Sequence, residues 1–133
     1  MVQTIKPGIL LVEDEEAVRR VIARMLAARG YTVFQSNRAD EALAIFGDNA
    51  GAIGLAIIDM VMPGMSGLDL ASELNRRHPG VKILYISGYS ESIAMDVIAH
   101  RSPELVLLKP FTAADLVGRI QELTGDSRRN AAD

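Results

Sequence analysis

Leu55-Ala56-Ile57-Ile58-Asp59 is a short apolar run that ends on a carboxylate. Three other runs stop in the same way: Ile9-Leu10-Leu11-Val12 at Glu13 and Asp14, Ile83-Leu84-Tyr85-Ile86 at Ser87, and Leu105-Val106-Leu107-Leu108 at Lys109. Runs this short, bounded by turn formers and separated by helical stretches, read as strands of a parallel sheet buried on both faces. Such sheets bind ligands at the carboxyl ends of their strands. Three carboxylates, one hydroxyl and one ammonium, scattered over most of the chain, are therefore expected on a single rim.

Working outward from these runs, the segments between them carry helical periodicity. Residues 15–28 place Ala17, Val18, Val21, Ile22, Met25 and Leu26 on one stripe with Arg19, Arg20 and Arg24 opposite, and Gly30 closes the helix. Residues 31–36 read as a second strand, less uniformly apolar than the rest and so a candidate sheet edge. Asn37 with Asp40, Ser66 with Asp69, and Thr112 with Asp115 each pair a capping side chain with a carboxylate three residues on, marking helix starts. A further helix is expected from Ser90 or Glu91 to His100, and a last one over 113–123 with Leu116, Ile120 and Leu123 inward. The reading is α/β: one doubly wound (βα)5 domain over residues 1–125, with 126–133 a loose tail. The common strand order, 2-1-3-4-5, opens its crevice between the strands that end in Asp14 and Asp59.

Composition narrows the chemistry. The chain has 133 residues, enough for one domain that buries about two-thirds of its unfolded surface. A net charge of -3 leaves no basic footprint, so no direct nucleic-acid partner is expected. The absence of cysteine excludes disulfides, thiol nucleophiles and cysteine zinc sites, and suits a reducing compartment. No apolar stretch approaches the ~18 residues of a spanning helix and the start lacks a signal-peptide layout, so a cytoplasmic domain without membrane contact is expected.

Glu13, Asp14 and Asp59 crowded together would repel unless one takes up a proton or a cation neutralises them. Oxygen-only ligation by two or three carboxylates favours Mg²⁺. A carboxylate beside Mg²⁺ can attack a phosphoryl group, because the metal shields its charge from the incoming anion. Lys109 offers a second positive charge able to pair with Asp59, and the Ser87 hydroxyl can donate to an oxygen.

Four stretches carry a family resemblance in order: Leu10-Leu11-Val12-Glu13-Asp14-Glu15, Ile57-Ile58-Asp59-Met60-Val61-Met62-Pro63-Gly64-Met65-Ser66-Gly67, Ile86-Ser87-Gly88-Tyr89 and Leu108-Lys109-Pro110-Phe111. The chain resembles a response-regulator receiver domain of two-component signalling, with wording most similar to receivers of hybrid sensor histidine kinases. That resemblance implies a flavodoxin-like fold in which Asp59 accepts phosphate from a histidine kinase or a histidine phosphotransfer protein. It implies that Glu13, Asp14, Asp59 and the Val61 backbone carbonyl hold Mg²⁺, that Ser87 and Lys109 are the signalling hydroxyl and lysine, and that Lys109-Pro110 is cis. Such a domain is not an enzyme beyond its own phosphorylation and dephosphorylation, and it signals through a downstream protein. Donor docking would use the rim at Ala17 and Val18.

Two departures bear on output. Val106 stands where receivers often carry Tyr or Phe, so weak switching and a relay role are expected. Val61 and Tyr89 are apolar or bulky beside the acceptor and the hydroxyl, which suggests a long-lived phosphoryl group. An Mg²⁺-dependent aspartyl phosphohydrolase would want a second acid at Val61, nucleotide-binding loops are absent, and Ser87 lacks the glycine of a nucleophile elbow. A phosphorylation-independent docking module with a vestigial pocket is the other rival. Glu15 and Glu16 read as a solvated helix start, His78 and His100 as surface residues, and Met25, Met60, Met62, Met65 and Met95 as packing or loop anchors.

Overall fold

The computed structural model describes residues 6–60, 64–88 and 106–125. The expectations for Val61, Met62, Pro63, Tyr89, the helix ending at His100, Met95 and the tail 126–133 lie outside these residues. Strands β1 (Gly8–Val12), β2 (Val33–Ser36), β3 (Ile53–Asp59), β4 (Lys82–Ser87) and β5 (Val106–Leu108) form one parallel sheet in the order β2-β1-β3-β4-β5. Helices α1 (Glu16–Ala27), α2 (Ala39–Asp48), α3 (Gly67–Arg77) and α4 (Ala113–Thr124) cover both faces. Fold class and strand order are those read from the apolar runs.

The two faces separate by the period-two alternation of strand side chains. Leu10, Val12, Ala56, Ile58 and Tyr85 point to the side of α2 and α3, where they meet Phe46, Leu70 and Leu74. Ile9, Leu11, Leu55, Ile57, Leu84 and Ile86 point to α1 and α4, against Ile22, Leu26, Leu116 and Ile120. Every residue of β1 is buried, which explains why its sequence shows no alternation.

Local expectations fare unevenly. Ser66 caps α3 by accepting from the Asp69 amide, and Thr112 with Asp115 forms a reciprocal capping box on α4. The Asn37 and Asp40 cap is not made: Arg38 is the N-cap of α2, and no side-chain hydrogen bond caps the helix there. Asp40 is instead taken by Arg38 Nε at 2.8 Å, and the turn is tied by Glu41, which accepts from the Asn37 amide at 3.3 Å and the Ser36 hydroxyl at 3.1 Å. The apolar stripe of α1 is narrower than its sequence suggests. Ile22, Ala23 and Leu26 are buried, Val18 and Met25 pack at the margin, Ala17 is exposed, and Val21 is 52% exposed. His78 is half-buried rather than a surface residue, its ring 4.4 Å from that of Phe46.

Candidate functional site

The carboxyl ends of β1, β3, β4 and β5 converge as expected. β1 runs out at Val12, and the next peptide turns toward β2 by donating the Glu13 N–H to the Ser36 carbonyl at 3.0 Å. Glu13 is buried, whereas Asp14 is exposed. Asp59 closes β3 and is also buried. One oxygen from each of Glu13, Asp14 and Asp59 lies within 4.8 Å of the others.

The end of β3 is held by a close approach of α3. The Gly67 amide donates to the Met60 carbonyl at 3.2 Å, and a Cβ on Gly67 would stand 2.5 Å from the Asp59 carbonyl oxygen and 2.9 Å from Met60 Cα. Only glycine lets the helix start so near the end of β3.

Lys109 follows β5, and its amide donates to the Ser87 carbonyl at 2.7 Å. Its ammonium is 3.3 Å from Glu13 Oε1 and 3.7 Å from Asp59 Oδ2, so it bridges two carboxylates and sits nearer to Glu13 than to Asp59. The Lys109-Pro110 bond is cis. Ser87 is fully buried, and its hydroxyl donates to the Gly88 carbonyl at 3.1 Å.

One positive charge does not balance the cluster. Burial, followed by the side-chain hydrogen bond to Asp59, pushes the Glu13 carboxyl from 4.5 up to about 7, against the Glu15 amide and Lys109, which pull it down. The Glu15 N–H donates to Glu13 Oε2 at 3.2 Å. Three carboxylate oxygens brought this close together fit a hard divalent cation of the Mg²⁺ class.

Two polar residues at this rim carry no sequence signal of their own. Ser36 offers its carbonyl to Glu13, while its hydroxyl also lies 2.8 Å from the Arg38 carbonyl. Arg19, placed by periodicity on the solvent side of α1, is half-buried and reaches back to the Glu13 carbonyl at 3.0 Å.

A parallel sheet of this order with a carboxylate cluster at its β1 and β3 ends defines a receiver-type domain. Residues 9–121 match the family model of the response regulator receiver domain, and the chain belongs to that family. It is thus a receiver domain of two-component signalling, a signalling module, with an acidic pocket of Glu13, Asp14 and Asp59. The chain is 39% identical over 119 residues to Sensor kinase CckA of Brucella abortus, covering 86% of this chain but 12% of that protein. It is 33% identical over 116 residues to the response regulator receiver protein CpdR of the same organism, covering 86% of this chain and 94% of CpdR. Among solved structures, a receiver domain protein of Clostridium thermocellum matches with a TM-score of 0.82 at 26% identity, over 96% of this chain and all 100% of the other. The response regulator TrrA of Thermotoga maritima, in complex with Mg²⁺-BeF, matches with a TM-score of 0.75 at 29% identity, over 89% of this chain and 99% of TrrA. No helix among the described residues is long and apolar enough to cross a membrane.

Proposed function

We propose that residues 1–125 act as the phosphoacceptor of a phosphorelay, with Asp59 taking a phosphoryl group from a phosphohistidine on a histidine kinase or phosphotransfer protein. The observation that carries this reading is the meeting of three carboxylates within 4.8 Å under the Lys109 ammonium. Glu13, Asp14, Asp59 and the Val61 backbone carbonyl would hold Mg²⁺; that the similar TrrA is found in complex with Mg²⁺-BeF supports a magnesium site in such a domain. When bound, the metal neutralises the carboxylates and the phosphoryl oxygens, so that one anion can approach another.

An Asp59 carboxylate oxygen attacks phosphorus in line with the donor nitrogen. The O–P bond forms as the P–N bond breaks, and its electron pair leaves with the imidazole. Lys109 exchanges Asp59 for a phosphoryl oxygen, and Ser87 turns its hydroxyl from the Gly88 carbonyl toward another. Output passes through protein contacts in the cytoplasm. With Val106 in place of an aromatic ring, that output suits onward transfer better than a large switch.

Intact mass after incubation with acetyl phosphate, with and without Mg²⁺ and alongside Asp59→Asn, tests this. One phosphoryl increment requiring both the metal and Asp59 is expected. Mg²⁺ binding without any increment, from acetyl phosphate or from a phosphohistidine donor, would overturn it in favour of a docking module.

A further inference from the structure

The turn from β1 to α1 carries two of the three pocket carboxylates, and both polar backbone atoms of Glu13 are engaged. The N–H donates to Ser36 of β2, and the carbonyl accepts from Arg19 Nη1 at 3.0 Å. The same guanidinium donates through Nε to the Gln35 side-chain oxygen, also on β2, at 3.3 Å. Arg19 makes no ion pair among the described residues, so neutralising a nearby acid does not account for its placement. A planar fork with several fixed donors is the side chain able to hold a carbonyl in the turn after β1 and a side-chain amide on β2 together.

We propose that Arg19 is a positioning residue for the acidic pocket, with Gln35 as its anchor. By tying the Glu13 carbonyl to the edge strand, it fixes the direction in which the Glu13 and Asp14 side chains leave the turn. The proposal rests on the Mg²⁺-binding reading above.

Charge and position predict opposite signs here. A cation seated on the Glu13 carbonyl repels a divalent ion in the pocket, so if charge were its whole contribution, Arg19→Ala would tighten Mg²⁺ binding. If Arg19 orients the ligands, the same change weakens it, because partners behind metal ligands sustain affinity by holding their geometry.

Calorimetric titration of Mg²⁺ alone into the unphosphorylated protein separates the two, with thermal midpoints and metal-free amide exchange recorded for each variant. We expect Arg19→Ala to weaken binding by about tenfold, the lower end for such partners. Arg19→Lys keeps the charge but not the fork and should behave like Arg19→Ala. Gln35→Leu, at an exposed position that leaves Arg19 intact, should weaken binding less, in the same direction. In the absence of metal, the Glu15 amide should exchange faster in Arg19→Ala than in the parent protein. Loss of affinity without a matching fall in thermal midpoint is what a purely structural arginine would not produce.

Unchanged or tightened binding in Arg19→Ala overturns the proposal. Should Arg19→Ala fail to fold, Gln35→Leu decides by the same criteria. If the parent protein itself binds no Mg²⁺, the functional reading fails instead, and Glu15 exchange in the metal-free variants then judges the positioning role alone.

Discussion

Glu13 sets the pocket's response to pH. Its carboxyl titrates at about 7 in the folded protein against 4.5 as the ordinary value, so in that interval the folded state holds a proton that the unfolded state has released. Stability of the metal-free protein is therefore expected to fall as pH rises from about 4.5 to 7, with the contribution intact below that window and fully lost above it. Melting curves across that range in the presence of a chelator would show the slope, and Glu13→Gln should flatten it. Glu13, Asp14, Asp59 and Lys109 were legible because each interrupts or follows an apolar run that fixes its place at a strand end. Arg19 was not, since helical periodicity assigns a residue to a face but does not follow a long side chain reaching back over the preceding turn.

Among the elements, the start of α3 packs hard against the Asp59 end of β3. In Gly67→Ala the new methyl meets backbone on β3, which cannot give way as a flexible side chain would. A cost of about 1–3 kcal/mol is expected from the shift in urea midpoint, together with slower labelling of Asp59 by acetyl phosphate. At the start of α1, Ala17 is exposed whereas Val18 packs partly into the core, so Ala17 gives the cleaner test of the donor-docking rim. Ala17→Glu should slow transfer from a histidine kinase yet leave labelling by acetyl phosphate unchanged, as single-turnover assays with each donor would report. The helix starts at Ser66 and Thr112 were readable because cap and carboxylate face the same free amides. Asn37 carried the same spacing, but Ser36 and Glu41 took over that turn, a competition decided by where β2 ends and not by the local sequence.

At the scale of the molecule, the two-layered core makes the central strands the main source of stability. Ile57→Ala, on a fully buried position of β3, should cost about 2–5 kcal/mol by chemical denaturation. The topology was readable because runs buried on both faces leave little choice but helices on both sides of a parallel sheet. The true width of the α1 stripe was not, because it depends on how much of the helix the sheet below covers. The strand order has one further consequence. Asp59 closes a strand paired on both sides, and Glu13 follows another such strand, while Lys109 follows β5, which among the described residues pairs with β4 alone. The negative charges thus leave strands flanked on both sides, and the positive charge leaves the strand at the end of the sheet. Were Asp59 to take a phosphoryl group, the expected rearrangement is for the lysine to travel over a bed of acids that stays in place.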